Sequence, residues 1–72
     1  MNLEVRAYGE LISTIKVSKI DITTHGVRVV SNEFLQRTDG LEIISFSEIG
    51  NMHHERGYII RVLDVGVSLR IT

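Results

Sequence analysis

Apolar and polar residues alternate along most of this chain with a period of two, the repeat of a half-buried β-strand. Leu3, Val5 and Ala7 fall on one face with Glu4, Arg6 and Tyr8 opposite, and Leu11, Ser13, Ile15 and Val17 continue the odd phase. Ile20 and Ile22 then fall on even positions. Because neighbouring strand residues point to opposite faces, this change of phase requires an extra residue or a sharp corner near Ser18-Lys19. A long strand could bend there from one sheet into another.

Turn signals divide the remaining alternation. Thr23-Thr24-His25-Gly26 predicts a turn returning the chain through Val27-Arg28-Val29-Val30. Asp39-Gly40 is a pair favoured by tight hairpins and predicts a link from a strand ending near Arg37 to a strand over 41–46. The stretch from Ser47 to Gly57 departs from strand logic and supports one short helical turn or an irregular loop. A two-residue turn at Val65-Gly66 predicts a terminal hairpin. It pairs Val62 with Leu69 and Ile60 with Ile71 on a buried face and sets Arg61 against Arg70 outside. Phe34 and Phe46 read as core residues.

Composition supports sheet over helix. Val and Ile number 18 among 72 residues and Ala occurs once, and β-branched side chains lose more freedom on a helix than on a strand. These features predict an all-β fold, a single β-rich domain over residues 1–72. Its architecture would be one small antiparallel sheet or a partly open barrel of about six strands, with at most one short helical turn. A core of this size seldom supplies more than about 3–5 kcal/mol, and with no Cys neither a disulfide nor a thiolate zinc site can reinforce it. Oligomerisation or a bound partner remains.

The charge balance, with a formal net charge of −1, provides no global field for nucleic acid or an anionic bilayer. No apolar run approaches the ~18 residues of a membrane span, and the first residues lack the order of a signal peptide, which predicts a cytoplasmic protein. Gly-x-Ser-x-Gly and phosphate-cradling glycine loops are missing, as is a thiol nucleophile, so the sequence predicts no enzyme and no cofactor. His53 and His54 are adjacent and diverge on either a helix or a strand, so they do not chelate one ion together. No metal is predicted, and a site shared between subunits, with His25 as a further ligand, is the arrangement that would escape this reasoning. Arg6, Arg28, Arg61 and Arg70 occupy the polar phase of the strands and form the candidate anion-binding patch, with Glu4 and Glu42 as the carboxylates that would neutralise it.

Several segments together resemble the bacterial pleckstrin-homology-like barrels and the related GRAM domains. They are Thr24-His25-Gly26-Val27-Arg28-Val29, Ile44-Ser45-Phe46-Ser47-Glu48-Ile49, Tyr58-Ile59-Ile60-Arg61-Val62 and Gly66-Val67-Ser68-Leu69-Arg70-Ile71. The resemblance covers residues 23–72 and implies a lipid- or protein-binding platform without catalysis. The C-terminal helix that closes such barrels has no counterpart in the last predicted strand. No binding residue is carried over from the family.

The function expected from the residues is a small non-enzymatic protein-binding module, an adaptor, assembly subunit or inhibitor, that self-associates into a homo-oligomer through strand edges. The expected interface residues are Val67, Leu69 and Ile71 on the last strand and Leu3 and Val5 on the first. The alternative is an anion- or nucleic-acid-binding protein that repeats the arginine patch in a symmetric oligomer. Nucleic acid is the less favoured partner because aromatic stacking platforms are few.

Overall fold

The computed structural model describes residues 1–49 and 54–72, with the side chains of 48, 49, 54 and 55 left aside, and it is all-β, with no helix among the described residues. Seven strands form: β1 (Asn2–Ala7), β2 (Glu10–Lys16), β3 (Lys19–Thr23), β4 (Gly26–Val30), β5 (Leu41–Ile49), β6 (His54–Val62) and β7 (Val67–Ile71). They make two antiparallel sheets, ordered β2-β1-β7 and β3-β4-β6-β5, rather than one sheet of about six strands, and the strands do not close into a barrel.

The change of phase near Ser18 is the place where the chain leaves one sheet for the other. The Val17 N–H bonds to the Met1 carbonyl at 3.0 Å, while the Ser18 N–H bonds to Val30 at 2.9 Å. Consecutive amides thus satisfy themselves on different sheets, so the corner leaves no buried donor unpaired. A bulge is present too, but inside β2: Val5 faces Ser13 and Arg6 faces Leu11, so Ile12 is the extra residue. The inserted residue reverses the faces beyond it. Leu11 therefore lies opposite Arg6 and is 48% exposed, while Ile15 stays in the core at 3%.

Two sequence expectations fail at β5 and β6. Ser47–Ile49 and His54–Gly57 extend a hairpin in register from Leu41↔Val62 to Ile49↔His54, so the described part of the supposed loop is strand. The backbone gains ladder bonds along the whole length, which outweighs the weak strand propensity of single residues. No strand precedes the Asp39-Gly40 turn, whose Leu41 N–H reaches the Thr38 carbonyl at 3.4 Å; residues 31–38 run as irregular chain.

The terminal hairpin is the third failure. Asp64–Val67 does form a turn, with the Val67 N–H on the Asp64 carbonyl at 3.1 Å, yet it is a corner between sheets: β6 pairs with β4 and β5, and β7 pairs with β1. Arg61 consequently faces Glu42 and Arg70 faces Glu4. Opposite charges replace the like-charge pair that the hairpin would have imposed.

Between the sheets lies one core of Leu3, Val5, Ile15 and Val67 from the first, Val29, Tyr58 and Ile60 from the second, and Val17 and Leu35 from the connections. Each large aliphatic side chain buried there stabilises the fold by roughly 1.5–3 kcal/mol relative to exposure. Two aromatic clamps lie outside it. Tyr8, in the β1–β2 turn, packs its ring where a Cβ on Gly66 would stand and donates its hydroxyl to Asp64 Oδ2 at 2.7 Å; Asp64 Oδ1 also accepts from the Gly66 N–H at 2.8 Å. Phe46 lies across Gly57, with Arg28 placed 4.6 Å above its ring.

Candidate functional site

Four strands are sheet edges, and register decides what each presents. On β7 the residues that exchange bonds with β1 are the even ones, as shown by the reciprocal Asn2–Thr72 pair at 2.9 Å and by the Tyr8 N–H on the Gly66 carbonyl at 2.8 Å. Leu69 and Ile71 therefore turn their N–H and C=O groups away from β1, where no further strand lies among the described residues. Their side chains carry apolar surface to the same edge, Leu69 half-buried and Ile71 44% exposed, whereas Val67 is in the core.

The edge of β2 is treated differently. Glu33 Oε2 accepts from the Lys16 N–H at 2.8 Å, the Ser31 hydroxyl donates to the Lys16 carbonyl, and Ser31 is 2% exposed. A side-chain cap thus occupies the outward groups of that strand end, one of the ordinary ways of blunting an edge. Lys19 and Asp21 place charges along β3. β5, the remaining edge, carries half-exposed Leu41 and Ile43 on its inward face.

Leu3 and Val5 do not belong to any edge. β1 is the central strand of its sheet, with β7 occupying the side left open by β2, and both residues are fully buried at 0%. The four arginines are divided between the sheets: Arg6 and Arg70 lie on the outer face of the three-stranded sheet, Arg28 and Arg61 on that of the four-stranded one. Arg6 Nε lies 3.9 Å from Glu4 and Arg61 3.6 Å from Glu42, the two carboxylates that the sequence puts forward. Loose, partly exposed pairs of this kind contribute about 0–1 kcal/mol, and the separation of the sheets keeps Arg61 and Arg70 from forming a common ladder.

His25 sits exposed in the β3–β4 turn, where its carbonyl accepts from Arg61 Nε at 2.8 Å. His53 lies outside the described residues, as does the side chain of His54. Among the described residues no three potential ligands gather for a metal.

A second feature escapes any reading of the sequence. Beyond Gly57 the β5–β6 hairpin outruns β4, and residues 31–35 lie along it instead, anchored by the Ser31 N–H on the Arg56 carbonyl at 2.7 Å. Phe34, expected in the core, is 69% exposed. It holds the Arg56 guanidinium 4.3 Å from its ring centroid and stands 6.4 Å from the ring of Tyr58. Tyr58 is itself 3% exposed, and its buried hydroxyl has no hydrogen-bond partner among the described residues. The only sequence signal for this cluster is the pair of hydroxyl residues Ser45 and Ser47, which becomes meaningful once register sets them against Tyr58 and Arg56.

The segments that resemble pleckstrin-homology-like domains fall on β4, β5, β6 and β7, with Phe46-Ser47-Glu48-Ile49 inside a strand instead of after one. Compared with protein families, curated proteins and solved structures, the chain matches none of them.

Proposed function

We propose that this chain is a non-catalytic protein-binding module that associates with a second copy of itself through the open edge β7. The observation that carries this reading is the outward backbone of Leu69 and Ile71 joined to their apolar side chains, one half-buried and one exposed, on an edge that no cap covers among the described residues.

The sequence of β7 suits pairing with itself. An antiparallel register centred on Leu69 sets Val67 opposite the partner's Ile71 and Ser68 opposite the partner's Arg70. Every apolar side chain then meets an apolar one, and no like charges face each other. Moving the centre to Arg70 sets two guanidinium groups together, and moving it to Ser68 leaves Ile71 outside the strand pairing. Five residues of strand bury less than the 1,200–2,000 Å² or so of a stable interface, so association is expected to be weak and concentration-dependent.

The absence of cysteine makes the test clean. Residues opposed in a hydrogen-bonded antiparallel pair have Cα atoms about 5.5 Å apart, within disulfide range. Leu69→Cys should cross-link to itself under mild oxidation faster than Ser68→Cys, Arg70→Cys or an exposed control, Leu11→Cys. The light-scattering mass of the unmodified chain should rise between about 10 µM and about 1 mM and should not fall with salt. Equal cross-linking at Leu69→Cys and Leu11→Cys, with a constant monomer mass, rejects the proposal.

A further inference from the structure

The notch between residues 31–35 and the β5–β6 hairpin has a volume of about 280 Å³ and is lined by Phe34, Ser45, Phe46, Ser47, Arg56 and Tyr58. We infer that it is a binding site for a small oxyanion, phosphate or carboxylate, carried on an aromatic ring. The site lies on the sheet opposite to β7 and stands independently of the proposed self-association.

Three independent observations meet there. First, Arg56 is held over the ring of Phe34, 4.3 Å from its centroid, and no carboxylate pairs with it among the described residues. Contact with the ring restrains the guanidinium without using its N–H donors as a salt bridge would, and such a fork can take two oxygens of one anion. Second, the register Ser45↔Tyr58 and Ser47↔Arg56 puts two hydroxyls on the same face of the hairpin, and neither has a hydrogen-bond partner among the described residues. Third, Tyr58, 3% exposed and 6.4 Å from the Phe34 ring, lines the notch beside Arg56 with its buried side chain.

The Phe34 ring defines the rest of the ligand. It stands beside a volume just under the usual range for drug-sized ligands, which suits one ring with one anionic group, while the Phe46 ring lies on the other face of the hairpin, across Gly57. The exposed Phe34 ring favours an aryl body over a bare ion through stacking. Charge sets the other end: the positive guanidinium of Arg56 attracts an anion and repels a cation, and the Ser45 and Ser47 hydroxyls can donate to the anion's oxygens.

The test is a titration of the full chain with phenyl phosphate, benzoate and inorganic phosphate, followed by amide and side-chain NMR shifts. Phenyl phosphate and benzoate should give saturable shifts at Ser45, Ser47, Arg56 and Tyr58, with a dissociation constant near 1 mM or below, and inorganic phosphate should bind at least about threefold more weakly. Arg56→Gln should weaken binding by about tenfold or more, and Ser47→Ala by about threefold or more, while resonances of β1 and β7 confirm that the fold is kept. Shifts that rise linearly with ligand, or an unchanged titration in Arg56→Gln, overturn the site. Equal binding of inorganic phosphate and phenyl phosphate overturns the aryl specificity, and unchanged affinity in Ser47→Ala overturns the part assigned to its hydroxyl.

Discussion

Replacing Gly57 with alanine tests whether an aromatic ring can serve as the missing side chain of a strand. A Cβ built at Gly57 would lie 2.1 Å from Phe46 Cζ and 2.2 Å from Cε2, so the ring has to withdraw by more than about 1 Å. Overpacking of this kind costs about 1–3 kcal/mol, and moving the ring also releases the contact with Arg28, worth about 0.5–1 kcal/mol. Against this, alanine regains about 0.5–1 kcal/mol of chain entropy that glycine loses on folding. Phe46 is only half-buried, so the ring can swing outward and relieve part of the strain. The net expectation is a loss of about 1–2 kcal/mol, or about 4–16 °C in Tm for a domain of this size. Urea unfolding of Gly57→Ala, Phe46→Ala and the double variant closes a thermodynamic cycle. In the Phe46→Ala background the same glycine substitution should be neutral or stabilising, because nothing then occupies the space. An equal loss in both backgrounds would show that the ring does not lie across the glycine.

Three further substitutions probe other contacts. The Gly66 N–H, and then the Tyr8 hydroxyl, hold the Asp64 carboxyl below its ordinary 3.8, while the hydrogen bond to Asp64 and its charge raise the Tyr8 phenol above 10.0. The Asp64 contribution is therefore complete above about pH 4 and fades as pH falls through its depressed titration. That of Tyr8 is complete below about pH 10 and fades as pH rises through its raised one. Tyr8→Phe should flatten the stability profile at both ends, and a profile with unchanged slopes in both regions would contradict the clamp. Ser31→Ala removes the donor to the Lys16 carbonyl and the acceptor for the Glu33 N–H, 3.0 Å away, and should cost about 1–3 kcal/mol in urea unfolding. A loss below about 0.5 kcal/mol would mean that water satisfies both groups. Tyr58→Phe should leave Tm unchanged or raise it by a few degrees, since the hydroxyl it removes has no partner; a fall of more than about 5 °C would reveal a hidden hydrogen bond.

Local features of the sheet were legible because each rests on neighbouring residues. The shift from odd to even apolar positions after Val17 marks the passage between sheets, and Thr24-His25 and Asp39-Gly40 are turns where their residues predict turns. Pairing between distant strands was not legible from alternation, which is the same whether β7 joins β6 or β1. Charge supplied the missing information: Arg70 meets Glu4 in the observed register, whereas a β6–β7 hairpin opposes two arginines. The bulge at Ile12 left only the faint sign of two adjacent apolar residues, Leu11 and Ile12. For the candidate sites, the β7 edge could be anticipated because it is backbone in origin. The notch could not, because Phe34 and Arg56 are separated by 22 positions in sequence and meet only where the long hairpin outruns its neighbouring strand.

The pairing of β1 with β7 also governs how the chain reaches this structure. β1–β2, β3–β4 and β5–β6 are hairpins whose partners lie close in sequence, so each can form early with a small loss of loop entropy. Uniting Asn2 with Thr72 closes a loop that runs from β1 through every other strand to β7, and that closure precedes the reward of its contacts. Refolding is therefore expected to be limited by the docking of β7. A slow phase should become slower still when Val67 or Leu69 is truncated, and the transient state before it would leave the flank of β1 opposite β2 available to strands of other molecules.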